Sequence, residues 1–144
     1  MTVAFYDARG ELRAIKECWP KPQAVDDAVP ERARSFLQQA IVSIHAPAGA
    51  VMLTASAVDS MLKEKGLRDG SLYRRIETAA AEHLITAEMA LWAHEVRLEA
   101  NDQRHADEEA ALPNEADARK AIAFAQALAQ FLFVLPARVE QGRE

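Results

Sequence analysis

Residues 114–136 read NEADARKAIAFAQALAQFLFVLP. Within them Ala118, Ile122, Ala125, Leu128, Ala129, Leu132 and Leu135 recur at the spacing that lines one face of a helix. Phe124, Phe131 and Val134 stand off that stripe, so the segment is apolar around most of its girth. A helix of that kind is central in its fold or carries a second partner. Asn114 suits its N-cap, because a short polar side chain there can accept from a free backbone N–H. Pro136 predicts a kink or an end, since it lacks an N–H and crowds the preceding turn. A helix this apolar needs other helices to cover it, and the rest of the chain supplies them.

Upstream, Thr86 can cap a fourth helix, TAEMALWAHEVRLEA, with Met89, Leu91, Trp92 and Val96 inward. Ser71 can cap a third through about His83, with Leu72, Ile76, Ala79 and Ala80 inward. A second runs from about Pro47 to Lys65 on the stripe Val51, Thr54, Ala55, Val58, Met61 and Leu62. Gly66 is placed to be its left-handed stop, and Gly49 and Ala50 are small enough to permit close helix approach. The first begins after Pro30 on Ala33, Phe36, Leu37, Ala40, Ile41 and Ile44, and Ala46-Pro47 should break it. Ahead of these lie a short hairpin (Val3, Phe5, Leu12 and Ile15 about an Ala8-Arg9-Gly10 turn) and a linker carrying Pro20, Pro22 and Pro30. The expected fold is all-α: a bundle of four to five helices over 30–144, with an N-terminal β-hairpin and proline-rich linker over 1–29.

Composition agrees. The chain has 144 residues, half of them apolar, enough for one domain with a real core. Much alanine and few aromatics favour packed helices over a sheet. The net charge of −5 argues against broad grip on a nucleic-acid backbone, which calls for a basic face. Cys18 is the single cysteine, so neither an internal disulfide nor a four-cysteine zinc site can form, and a cytoplasmic setting is expected. No metal or cofactor is expected, because no histidine pair has the spacing of a zinc helix. Charges throughout residues 1–20 exclude a secretory signal. No apolar run approaches the roughly 20 residues that span a bilayer, so no membrane role is expected.

The chemistry-bearing stretch is EVRLEANDQRHADEE, residues 95–109. It sets Arg97, Asn101, Arg104 and His105 just before the long apolar helix. One reading is architectural. Arg97 at the end of the fourth helix satisfies free carbonyls or pairs with an acid, Asn101 ends the helix, and His105 ties the connection to the next one. Asp59, at the edge of the second helix's stripe, is the acid expected to meet Arg97. Arg74-Arg75 reads as a solvated basic pair that could add to an RNA or partner surface.

The order of LTASAVDSMLKEKG, SLYRRIETAAAEHLIT and HEVRLEANDQRHAD, followed by an alanine-rich helix, resembles the bacterial family called domain of unknown function 4145. That family is similar to the HEPN (higher eukaryotes and prokaryotes nucleotide-binding) bundles. The likeness covers roughly residues 28–138. Its most specific part is Val96-Arg97 … Asn101 … His105, with Ala100 where the family has glycine. Ser56 and Asp59 stand where the family offers an arginine and a glutamate. Two functions are open, the first resting on the apolar girth of the fifth helix and the acid-rich motif, the second on the resemblance to HEPN ribonucleases.

In the first, the chain is a non-enzymatic module that forms a homodimer or binds a protein partner in a bacterial or phage defence setting. In the second, it is a metal-independent ribonuclease using Arg97, Asn101 and His105 across a dimer. His105, with a pKa near ~6.5, would move the proton of a 2′-hydroxyl, and Arg97 would meet the phosphate charge. Arg104, Arg74 and Arg75 would then add binding contacts. The acids Glu95, Glu99, Asp102, Asp107, Glu108 and Glu109 around the motif repel phosphate and favour the first.

Overall fold

The computed structural model of the chain describes residues 25–96, 98 and 112–144, together with the backbone of residues 5–6 and 12–13. Two short strands, β1 (Phe5–Tyr6) and β2 (Leu12–Arg13), pair antiparallel with Phe5 opposite Arg13. The turn of the expected hairpin, Cys18 and most of the linker lie outside the described residues.

The helices follow: α1 (Glu31–Val42), α2 (Pro47–Glu64), α3 (Leu72–Ala81), α4 (Ala87–Ala93), α5 (Glu115–Ala129) and α6 (Leu135–Gly142). Their ends are set by local chemistry. Pro47 occupies the first turn of α2, where its missing N–H has no partner to lose. Gly66 ends α2 at φ +82, and the Leu67 N–H donates back to the Leu62 carbonyl at 2.9 Å. The Ser71 hydroxyl accepts from the Arg74 N–H at 3.2 Å, and the Thr86 hydroxyl accepts from the Met89 N–H at 3.1 Å. Asn114 opens α5 in a reciprocal box. Its carboxamide oxygen accepts from the Asp117 N–H at 2.9 Å, while Asp117 accepts from the Asn114 N–H at 3.0 Å. His83 takes the left-handed position after α3, at φ 60, where a glycine would be unstrained.

α1, α2 and α5 form the central three-helix layer, and the α3–α4 pair packs across α2 and α5. α1 packs on α2, and Ala33, Leu37 and Ala40 of α1 and Val51, Val58, Met61 and Leu62 of α2 belong to the same core, all nearly inaccessible. Phe124 of α5 is fully buried and meets the Trp92 ring edge to face, with centroids 5.4 Å apart. Thr54 is buried too, and its hydroxyl donates to the Ala50 carbonyl at 2.7 Å, so no polar atom is stranded there.

Several expectations are corrected. α4 ends at Ala93, much earlier than the pattern through Ala100 implied, and residues 94–96 are turn and bend. Leu91 is 67% exposed rather than inward, because a seven-residue helix buries only Met89 and Ala93. Gly49 is not a close-approach site: a Cβ there would meet nothing within 4 Å, and it is Ala50 that is buried.

Pro136 neither ends nor breaks the last helix. Residues Gln130–Val134 widen into a π-helical turn in which the Leu135 N–H bonds to the Gln130 carbonyl, five residues back. That register shift comes just before the proline, at the turn where its ring and missing N–H would disturb an α-helical ladder. The rod therefore continues from Glu115 to Gly142. By length and composition it is long and apolar enough to cross a membrane, so an apolar run of that size does exist in the chain. Residues Ala118, Ala121, Ile122, Phe124, Ala125 and Leu128 spend much of that apolarity in the core of the bundle.

Candidate functional site

Arg75 lies on the inward face of α3, in line with Leu72, Ile76 and Ala79. It is 7% exposed, not part of a solvated pair, whereas Arg74 beside it points to solvent. Successive helical residues are set about 100° apart around the axis, which separates the two. The Arg75 Nη2 meets Asp59 Oδ1 at 2.8 Å, and its Nη1 donates to the Leu67 carbonyl at 3.3 Å. Its Nε is buried with no hydrogen-bond partner among the described residues. On the other side of Asp59, Lys63 Nζ reaches Oδ2 at 2.8 Å. Burial alone would push the Asp59 carboxyl up, but the hydrogen bonds and charges of Lys63 and Arg75 outweigh it and hold the group below its ordinary value.

The acid of α2 thus has its arginine, supplied by α3. Arg97, the residue expected to meet Asp59, lies outside the described residues, as do Asn101, Arg104 and His105. What the structure does describe is the chain on either side of Arg97. The Tyr73 hydroxyl of α3 donates to the Val96 carbonyl at 2.6 Å and accepts from the Leu98 N–H at 3.2 Å. Val96 and Leu98 are both buried. One phenol therefore ties down the peptide groups that bracket the motif's first residue. His94 stacks on the Tyr73 ring with centroids 5.9 Å apart, and its Nε2 lies 3.0 Å from Glu77 Oε1. This makes a short polar seam between α3 and the exit from α4.

The seam leads to a measurable expectation. Tyr73→Phe removes both hydrogen bonds and leaves a buried carbonyl and a buried amide without that partner, at a cost of about 1–3 kcal/mol. Hydrogen exchange at Leu98 reports the local part, and urea unfolding the global part. Unchanged exchange at Leu98 would show that the hydroxyl does not hold this segment.

Neither feature was read from the sequence, although one left a trace. An arginine that shares a helical stripe with Leu72, Ile76 and Ala79 is a buried-cation signal, and it requires an acid on the facing helix. Tyr73 left none, because its partners are backbone groups more than twenty residues away. Among the described residues, no group of three or more His, Cys, Asp or Glu side chains is placed to hold a metal ion.

No curated protein and no solved structure matches the chain. The profile of one family, described as Domain of unknown function (DUF4145), matches residues 37–144. That span runs from the middle of α1 to the end of the chain and takes in the Asp59–Arg75 pair, the Tyr73 seam and the whole final rod, and the chain belongs to this family.

Proposed function

We propose that the chain is a non-enzymatic helical module that associates with a second copy of itself through the end of its last rod. One observation carries the reading. Phe131, Leu135 and Val139 succeed one another at four-residue steps, and Leu135 and Val139 are 42% and 60% exposed. α6 has no buried residue at all. With Pro136, the three line an open groove whose rim holds Glu140 and Arg143. An apolar strip with an acid and a base at its edge is self-complementary under a two-fold axis, the commonest symmetry of homodimers. A standard interface buries about 800 Å² per partner, so a contact confined to α6 would give a weak dimer and not an obligate one.

The occupied state of Asp59 supports an architectural role for that residue over a catalytic one: its two oxygens already face two cations. The resemblance to HEPN bundles supports placing the module in a bacterial defence setting, and the lone cysteine supports a cytoplasmic one. The other reading, a metal-independent ribonuclease using Arg97 and His105, stays as the alternative that the test must separate.

The experiment is sedimentation equilibrium of the wild type beside Leu135→Glu/Val139→Glu, with RNA incubation run in parallel. The wild type is expected to dimerise with a Kd on the order of micromolar, and the double variant to be monomeric with unchanged helicity. RNA is expected to stay intact. A wild type that remains monomeric well above that range sinks the self-association. RNA cleavage that disappears in His105→Ala, with folding intact, replaces the module with the nuclease.

A further inference from the structure

A polar cleft of ≈ 410 Å³ opens between the first half of α1 and the second half of α2. Arg32 and Phe36 form one wall, Ser56, Ser60 and Lys63 the other, and Arg68 stands past the end of α2. Asp59 and Glu64 belong to the same lining. Three cations thus face two carboxylates in a chain whose net charge is −5, a local reversal of the protein's overall field.

The two carboxylates are not equivalent. Asp59 is already engaged on both oxygens, by Arg75 and Lys63 at 2.8 Å each. Glu64 is exposed at the rim. Among the described residues, neither Arg32 nor Arg68 forms an ion pair. Arg32 stands over the Phe36 ring instead, 5.6 Å from its centroid. Their guanidinium groups carry planar forks of donors with no anion to meet among the described residues.

A second, independent observation points the same way. Ser60 is 8% exposed, lines the cleft, and makes no hydrogen bond to any described residue. Ser56, one turn earlier, donates to the Met52 carbonyl at 3.1 Å, the usual fate of a helical serine. A hydroxyl that is free to donate, on a mostly buried residue beside two guanidinium groups that no described carboxylate engages, is available to an acceptor in the cleft.

We propose that this cleft binds a small molecule bearing an oxyanion head group, a phosphate or a carboxylate, held by Arg32, Arg68 and the Ser60 hydroxyl. The oxyanion supplies what the site lacks: acceptor lone pairs for three donors and negative charge for two cations. Lys63, fixed by Asp59, adds charge without having to move. A cleft of this volume sits near the lower end of the ~300–1,000 Å³ range of small-molecule sites, which suits a compact ligand. The proposal does not involve the α6 face, and the two stand or fall separately.

The test is a ¹H–¹⁵N correlation titration of the full chain with inorganic phosphate and, separately, with succinate. Sodium chloride at matched ionic strength is the control. Saturable shifts are expected at the amides of residues 32–36 and 56–68. Arg32→Glu and Arg68→Glu should each weaken binding by about tenfold, the loss of one charged hydrogen-bonding group. Ser60→Ala should weaken it less, and all three variants should keep the wild-type spectrum elsewhere. Saturation by either anion supports the site, and the tighter arm names the head group. Shifts that fail to saturate, that chloride reproduces, or that persist unchanged in both arginine variants overturn it.

Discussion

Phe124→Ala is expected to destabilise the chain by about 3–5 kcal/mol, the range for deleting a large, fully buried aromatic from a well-packed core. Phe124 has no accessible surface, and it fills the space where α5 faces α4. Its loss removes the apolar transfer term, leaves a cavity that α-helices cannot easily collapse into, and breaks the edge-to-face contact with Trp92. Since a domain of this size is held by only about 5–15 kcal/mol, the variant would be marginal. Urea unfolding of wild type and variant measures the difference. A cost under about 1 kcal/mol would mean that Phe124 is not in the core the structure assigns it.

The second large effect is at the α2–α3 ion pair. Asp59→Asn leaves the Arg75 guanidinium buried against a carbonyl with no counter-charge, and should cost about 2–4 kcal/mol. The discount from a fully buried pair reflects the third of the Asp59 side chain that solvent still reaches. Removing both members behaves differently: Asp59→Leu with Arg75→Met should lie close to the wild type, because no stranded charge remains. The pH dependence follows from the direction of the shift. The folded Asp59 carboxyl is held below its ordinary value, chiefly because Lys63 and Arg75 together outweigh the upward push of burial. Its contribution is therefore fully present above about pH 4 and fades as pH falls through the folded value. The gap between wild type and Asp59→Asn should narrow on acidification. A gap that is constant from pH 6 to pH 2.5, or a double variant as unstable as the single, would remove the pair from the account of stability.

These effects show where sequence reading works and where it stops. The stripes of α1, α2 and α5 were legible because a helix buries residues at a fixed angular period, and the period is written in the order of residues. Capping at Ser71, Thr86 and Asn114 and the stop at Gly66 were legible for a similar reason: each depends on contacts within three or four residues. The length of α4 was misread because an apolar pattern marks where a helix could run, while the Val96 carbonyl and Leu98 amide have a competing partner in Tyr73. Pro136 was expected to kink or end the helix; it does not end it, because a π turn at Gln130–Val134 adjusts the ladder just before it, and that adjustment has no signature of its own in the residues.

The candidate site divides along the same line. Asp59 was singled out as an acid in need of a cation; the arginine the structure shows on it is Arg75, while Arg97, the one expected, lies outside the described residues. Which of several arginines reaches it is a matter of how α3 lies across α2, and the order of residues carries no distance between helices. By itself the chain's sequence determined an all-helical bundle, its main apolar faces, most helix ends and the family it belongs to. Only the tertiary structure decided that Arg75 is buried against Asp59, that Tyr73 grips both sides of Arg97, and that Leu135 and Val139 are left uncovered. Local periodicity is a property of neighbours along the chain, whereas pairing and exposure are properties of surfaces that meet only once the chain has folded.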